Sequence, residues 1–223
     1  MIADTPKIDL KVFAAPTPAS HGAARGPAGG ANPGRPSGER LERVIPIFHR
    51  WIQERALDEL MVDVADYTHV PDGPGVVLVC HDAIYALDSG GGELGLLYSR
   101  RRETHPALGS ITSLDDRLVS VFTRALAACE RLERERDLGA VLRFPGDRFA
   151  VAVNDRRVTG TDAEELAGAL ERLAEWLYPG EPSRVEVASG AGDRLTATLR
   201  GNRAHGAAAL LARLQSQLAR TVS

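Results

Sequence analysis

The 223-residue chain is 43% apolar and carries 27 basic and 30 acidic residues, for a net charge of −3. A chain of this size and composition fills a hydrophobic core, and its near balance of charge gives no global attraction to nucleic acid or to an anionic membrane, so neither is expected as a partner. No stretch approaches the roughly 18 uninterrupted apolar residues of a membrane span, and no basic segment followed by an apolar run opens the chain. With Cys80 and Cys129 both read as packed, unpaired thiols, a reducing cytoplasmic location is the expectation.

Residues 7–13 alternate polar and apolar side chains, the period of a half-buried strand, and are expected to add to a sheet edge. Residues 14–38 then hold Pro16, Pro18, Pro27, Pro33 and Pro36 among many Gly and Ala, with no large apolar side chain. That composition buries too little surface to offset the entropy of ordering, so it reads as a flexible tether with His21, Arg25 and Arg35 solvated.

Ile45, Phe48 and Ile52 recur at helical spacing within residues 39–56, where Pro46 is tolerated in the first turn. Residues 59–67 alternate and are rich in β-branched side chains, which predicts a strand ended by Pro71-Asp72-Gly73-Pro74-Gly75. The run Val76-Val77-Leu78-Val79-Cys80 is apolar on both faces and predicts a central strand over residues 75–88, covered above and below. Ser89-Gly90-Gly91-Gly92 turns that strand back into another over residues 93–102.

Ser113 and Asp116 form a capping pattern ahead of Leu118, Val121, Phe122, Ala125, Cys129 and Leu132, a single helical stripe. Residues 141–144 and 148–153 read as a hairpin around Pro145-Gly146-Asp147. Thr161 and Glu164 cap a second helix through Leu166, Leu170, Leu173 and Leu177, stopped by Pro179-Gly180. Residues 184–187 and 195–199 form a further hairpin, and a last helix carries Leu210, Leu211, Leu214 and Leu218. The fold class is therefore α+β, an antiparallel sheet of hairpins with helices packed on one face and an αββ, αββ, α order over residues 111–223. The chain divides into a strand (1–13), a tether (14–38), a helix with three strands (39–110) and the repeated region (111–223), and residues 39–223 are compatible with one domain.

Gly90-Gly91-Gly92-Glu93-Leu94-Gly95 matches G-x-G-x-x-G, but it leaves one strand for another, so no helix N-terminus faces a phosphate and no cofactor is expected. His49, His69 and His81 lie near Asp63, Asp66, Asp72 and Asp82 in sequence, and imidazole with carboxylate is a ligand set for zinc or iron. Their spacings fit no helical metal motif, and His81, among apolar neighbours, reads instead as a hydrogen-bonded core residue. Asp63 or Asp66 with His81 is the candidate acid–base pair. Arg100, Arg101 and Arg102, with Trp51 and Tyr98, could grip a phosphate or an acidic partner, and charged strand ends that resist edge pairing account for the same arginines. The alternating charges over residues 130–137 read as a solvated helix face.

The runs 47–53 (Ile-Phe-His-Arg-Trp-Ile-Gln) and 62–71, with Gly95-Leu96-Leu97-Tyr98, resemble an uncharacterised bacterial protein family of unknown function. The resemblance implies a soluble bacterial protein and carries no activity or site residue. The expectation is a non-catalytic module that binds a protein partner or itself, and the competing one is a small enzyme or metal- or ligand-binding protein with a site around His49, Asp63, Asp66, His69 and His81.

Overall fold

Alternation in residues 7–13 becomes strand β1 (Lys7–Phe13), with Ile8, Leu10 and Val12 buried on one side. The computed structural model describes residues 7–15, 41–70, 73–100, 113–136, 138, 142–154, 160–189 and 194–221. Strands β2 (Met61–Tyr67), β3 (Gly75–Cys80), β4 (Ala83–Asp88), β5 (Gly95–Arg100), β6 (Arg148–Asn154), β7 (Ser183–Ser189) and β8 (Leu195–Gly201) complete a single sheet in the order β2-β3-β4-β5-β1-β6-β8-β7. Every neighbouring pair is antiparallel.

The expected edge position of β1 is wrong. It lies inside the sheet, antiparallel to β5 and to β6. Alternation reports only that one face is apolar, and an interior strand of a sheet covered on one face carries the same pattern as an edge strand.

Helices α1 (Val44–Glu54), α2 (Leu114–Arg134) and α3 (Gly160–Leu177) pack on one face, and α4 (Ala207–Thr221) packs against α2 and α3. One row across the sheet shows how: Leu78, Tyr85, Tyr98, Leu10, Val151, Ala197 and Val187 stand side by side in register. These side chains and the buried stripes of all four helices form one continuous core. The stripe of α2 is the predicted one, and the Asp116 amide donates to Ser113 Oγ at its N-terminus. No helix among the described residues is long and apolar enough to cross a membrane.

Residues 75–88 are not one strand. β3 and β4 form a tight hairpin around His81-Asp82, whose exposed, hydrogen-bonded side chains suit a turn. β3 is also next to the outermost strand, not central, and no described helix packs on its second face, where Val77 is buried and Val79 half-buried outside the main core.

The expected hairpin over residues 141–153 contains only β6. Residues 142–145 are irregular, and Leu142 and Phe144 are buried at the end of α2. The Phe144 amide donates to Glu133 Oε1 at 2.6 Å, and the Arg143 carbonyl accepts from Ala15 at 2.7 Å. An anchored loop thus imitates strand alternation, and among the described residues α2 is followed by one strand, so the αββ unit does not repeat in that form. Of the proposed tether, Ala14 and Ala15 are bonded to Leu94 and Arg143, and residues 16–38 lie outside the described residues.

Candidate functional site

The histidine and aspartate candidates are exposed and engaged locally. His49 lies on the outer side of α1. The Asp63 carboxylate accepts the Val64 amide at 2.8 Å. Asp66 accepts the Thr68 amide and hydroxyl at 2.9 and 2.7 Å, and these bonds, backbone first, hold its carboxyl below the usual range, with a smaller contribution from His69. His81 is bonded to Asp82 at 2.9 Å in the β3–β4 turn, so it is not a core residue. Among the described residues no three His, Cys, Asp or Glu side chains are placed to hold a metal ion. Asp72 lies outside them.

The aromatic and arginine candidates point inward. Trp51, Tyr98 and Arg100 are buried and cannot meet a partner at the surface as they stand, which corrects their reading as surface contacts. β5 alternates Leu96, Tyr98 and Arg100 onto the core face, and Arg100 donates to Ser120 Oγ of α2 at 2.7 Å. Arg101 and Arg102 lie outside the described residues.

Tyr98 instead belongs to a buried polar cluster. Its hydroxyl donates to Glu59 Oε1 at 2.6 Å, and Arg124 Nη1 of α2 lies 3.6 Å from the same oxygen. Tyr85 packs against Tyr98 at a ring-centroid distance of 4.8 Å. The second carboxylate oxygen of Glu59 is buried without a partner. Burial first, then the Glu59 charge, pushes both phenols well above their ordinary range and the Cys80 thiol up to about 12. Burial likewise raises Cys129. The phenols and thiols are therefore protonated near neutrality, so this cluster supplies donors and no activated nucleophile.

A second polar group joins α1 to the end of α2. Trp51 Nε1 donates to Glu135 Oε1 at 2.7 Å, Arg50 also binds Glu135, and Arg131 binds Glu54 at 3.0 Å while lying over the Trp51 ring. Beside them is an open cleft of about 460 Å³ floored by Ala56, Leu57, Ala127 and Leu211. The charge run is thus only partly solvated. Glu130 pairs with Arg134 at 2.6 Å as expected for an i,i+4 pair, but Arg131 and Glu135 tie two helices together.

The feature least foreseen is the β2 edge. Among the described residues five large apolar side chains are exposed, and four flank or occupy this strand: Leu60 (69%), Val62 (59%), Tyr67 (42%) and Val70 (39%). β2 ends the sheet order and, among the described residues, pairs with β3 alone, with a register shift between Met61 and Asp63. A sequence signal existed. Leu60, Met61 and Val62 are consecutive, and a strand with one covered face cannot bury all three. Comparison with family models, with curated proteins and with solved structures found no match to this chain.

Proposed function

We propose that the protein is a non-catalytic binding module that accepts an extended segment of a protein partner along β2. The observation that carries this reading is the concentration of exposed apolar side chains on and beside β2, an end strand of the sheet with no described strand on its outer side. Natural edges are commonly guarded by lysine or proline, and Met61–Tyr67 contains neither. Its charges, Asp63 and Asp66, are acidic, as is Asp58 just before it, and no Lys or Arg occurs from 56 to 70. An antiparallel pairing of two β2 strands about Val64 gathers four aspartates, Asp63 and Asp66 of each copy, along one seven-residue seam with no lysine or arginine between them, a repulsive arrangement. The favoured occupant is therefore a partner segment alternating apolar and basic residues. The scatter of His49, Asp63, Asp66, His69 and His81 lends no support to the competing enzyme.

The test is amide hydrogen exchange of the full chain with a synthetic strand peptide alternating Lys and Val, and with its Glu–Val counterpart. The basic peptide should protect amides of Met61–Tyr67, and the acidic peptide should not. Val64→Pro, which places proline in the strand, should abolish the protection. Equal protection by both peptides, or protection confined to other strands, refutes the reading. Concentration-dependent mass without peptide would indicate a second copy as occupant instead.

A further inference from the structure

β1 is the one strand through which the two parts of the described sheet are hydrogen bonded. β2 to β5 lie on one side of it and β6, β8 and β7 on the other, and β5 and β6 do not pair with each other. Its register runs from Ile8 opposite Arg100 to Phe13 opposite Gly95 on one flank, and from Lys7 opposite Asn154 to Val12 opposite Phe149 on the other. Ile8, Leu10 and Val12 enter the core. At its end the Phe13 ring lies under the Arg148 guanidinium, 3.8 Å from the ring centroid, and Arg148 binds Glu93 of the β4–β5 connection at 2.5 Å. β1 thus fills a slot whose two walls come from distant parts of the chain.

The chain that follows β1 is far longer than its position requires. Leu41, the next described residue after Ala15, has its Cδ1 3.5 Å from where a Cβ on Gly75 would lie. Gly75 starts β3, and from Phe13 the path to it crosses Gly95 and Asp88, three strand steps of about 4.8 Å. With the offset of α1 above the sheet, the gap is about 20 Å, which some six extended residues would span. The 25 residues 16–40 could reach about 80 Å.

We propose that β1 is an exchangeable strand, and that a second copy of this chain is its alternative host. In the exchanged dimer each copy inserts Lys7–Phe13 between β5 and β6 of the other. The contacts within each slot are the same in monomer and dimer, so the balance is set by protein concentration against the effective concentration of the tethered strand, which is on the order of millimolar for such linkers. Exchange leaves β2 at the edge of both copies, so the dimer presents that edge twice. The inference does not depend on what β2 binds.

The test uses the full chain, unfolded and then refolded at about 10 µM, well below that crossover, and at about 1 mM, close to it. A dimer that grows with refolding concentration and persists after dilution is expected, because releasing β1 opens both of its pairings. In a Lys11→Cys, Ala150→Cys variant, whose positions are register partners, oxidation should link the dimer between chains and the monomer within one chain. If that variant does not fold, isotopically heavy and light parent chains answer instead: co-refolded they give mixed dimers by native mass spectrometry, and folded separately before mixing they do not. A monomer at both concentrations, a dimer with links only within chains, or dimers that exchange promptly on mixing would each overturn the proposal. Prompt exchange is what pairing of two β2 edges would give.

Discussion

Tyr98 and Glu59 meet in a 2.6 Å hydrogen bond that fastens the segment leading into β2 to the middle of the sheet, and the Arg124 guanidinium of α2 closes on the same oxygen. Three elements depend on one carboxylate. Tyr98→Phe removes the neutral donor and leaves that carboxylate, already lacking a partner on Oε2, with less compensation for its burial. A loss of about 1–3 kcal/mol is expected in urea unfolding with the m-value unchanged.

Cys80 and Cys129 should be silent toward thiol reagents in the native protein. Both are free and buried, and with the Cys80 thiol near 12 its thiolate fraction at pH 8 is about one in ten thousand. Titration with a disulfide reagent at pH 8 should label neither until denaturant is added, and then label two. Rapid native labelling would mean that the core opens far more readily than its packing implies.

Asp115, in the first turn of α2, accepts two hydrogen bonds from Arg172 of α3 at 2.7 and 2.8 Å, which hold its carboxyl below its ordinary value of 3.8. The folded state therefore resists protonation of this group. Its contribution is complete above the unfolded pKa and fades as pH falls through the folded one. Because the pair is exposed, Asp115→Asn should cost under about 1 kcal/mol at pH 7. The difference from the parent should stay constant from pH 8 to 5 and shrink toward pH 3. A difference that grows on acidification would contradict the assignment.

Gly201 faces the Tyr178 ring so closely that an added Cβ would lie 2.5 Å from a ring carbon. The ring cannot simply swing away, since its hydroxyl donates to the Gly146 carbonyl at 2.6 Å. Gly201→Ala should destabilise by about 1–3 kcal/mol, the usual range for overpacking, seen as a lowered midpoint of thermal unfolding. Gly75→Ala should do so as well, because Gly75 has φ 69° and its Cβ would meet the Leu87 carbonyl oxygen at 2.2 Å.

The α+β class and the one-sided helical cover were legible because period and punctuation are local: the stripe of α2, its Ser113 cap, and the stop at Pro179-Gly180 are all written within a few residues. Strand neighbours are not local. Lys7-Ile8-Asp9-Leu10 specifies two faces but not which strands flank them, so β1 was expected at an edge. The polar pair His81-Asp82 was enough to divide residues 75–88, but the apolar run before it outweighed it. The same one-sidedness hid the candidate site. An inward-facing aromatic beside arginines reads like a surface clamp until the register turns Tyr98 and Arg100 to the core, while Leu60 and Val62 read as core until the bulge and the sheet order leave them outside.

The interior place of β1 also bears on how the chain is made. Its residues are made before those of either neighbour, and one of these, β6, is completed only at Asn154. Until then an apolar, pairing-competent strand waits with one flank unpaired, closing a loop of more than 130 residues when it finally docks against β6. Synthesis should therefore pass through a stage in which an open slot and a waiting strand are both on display, a natural point for chaperone attention.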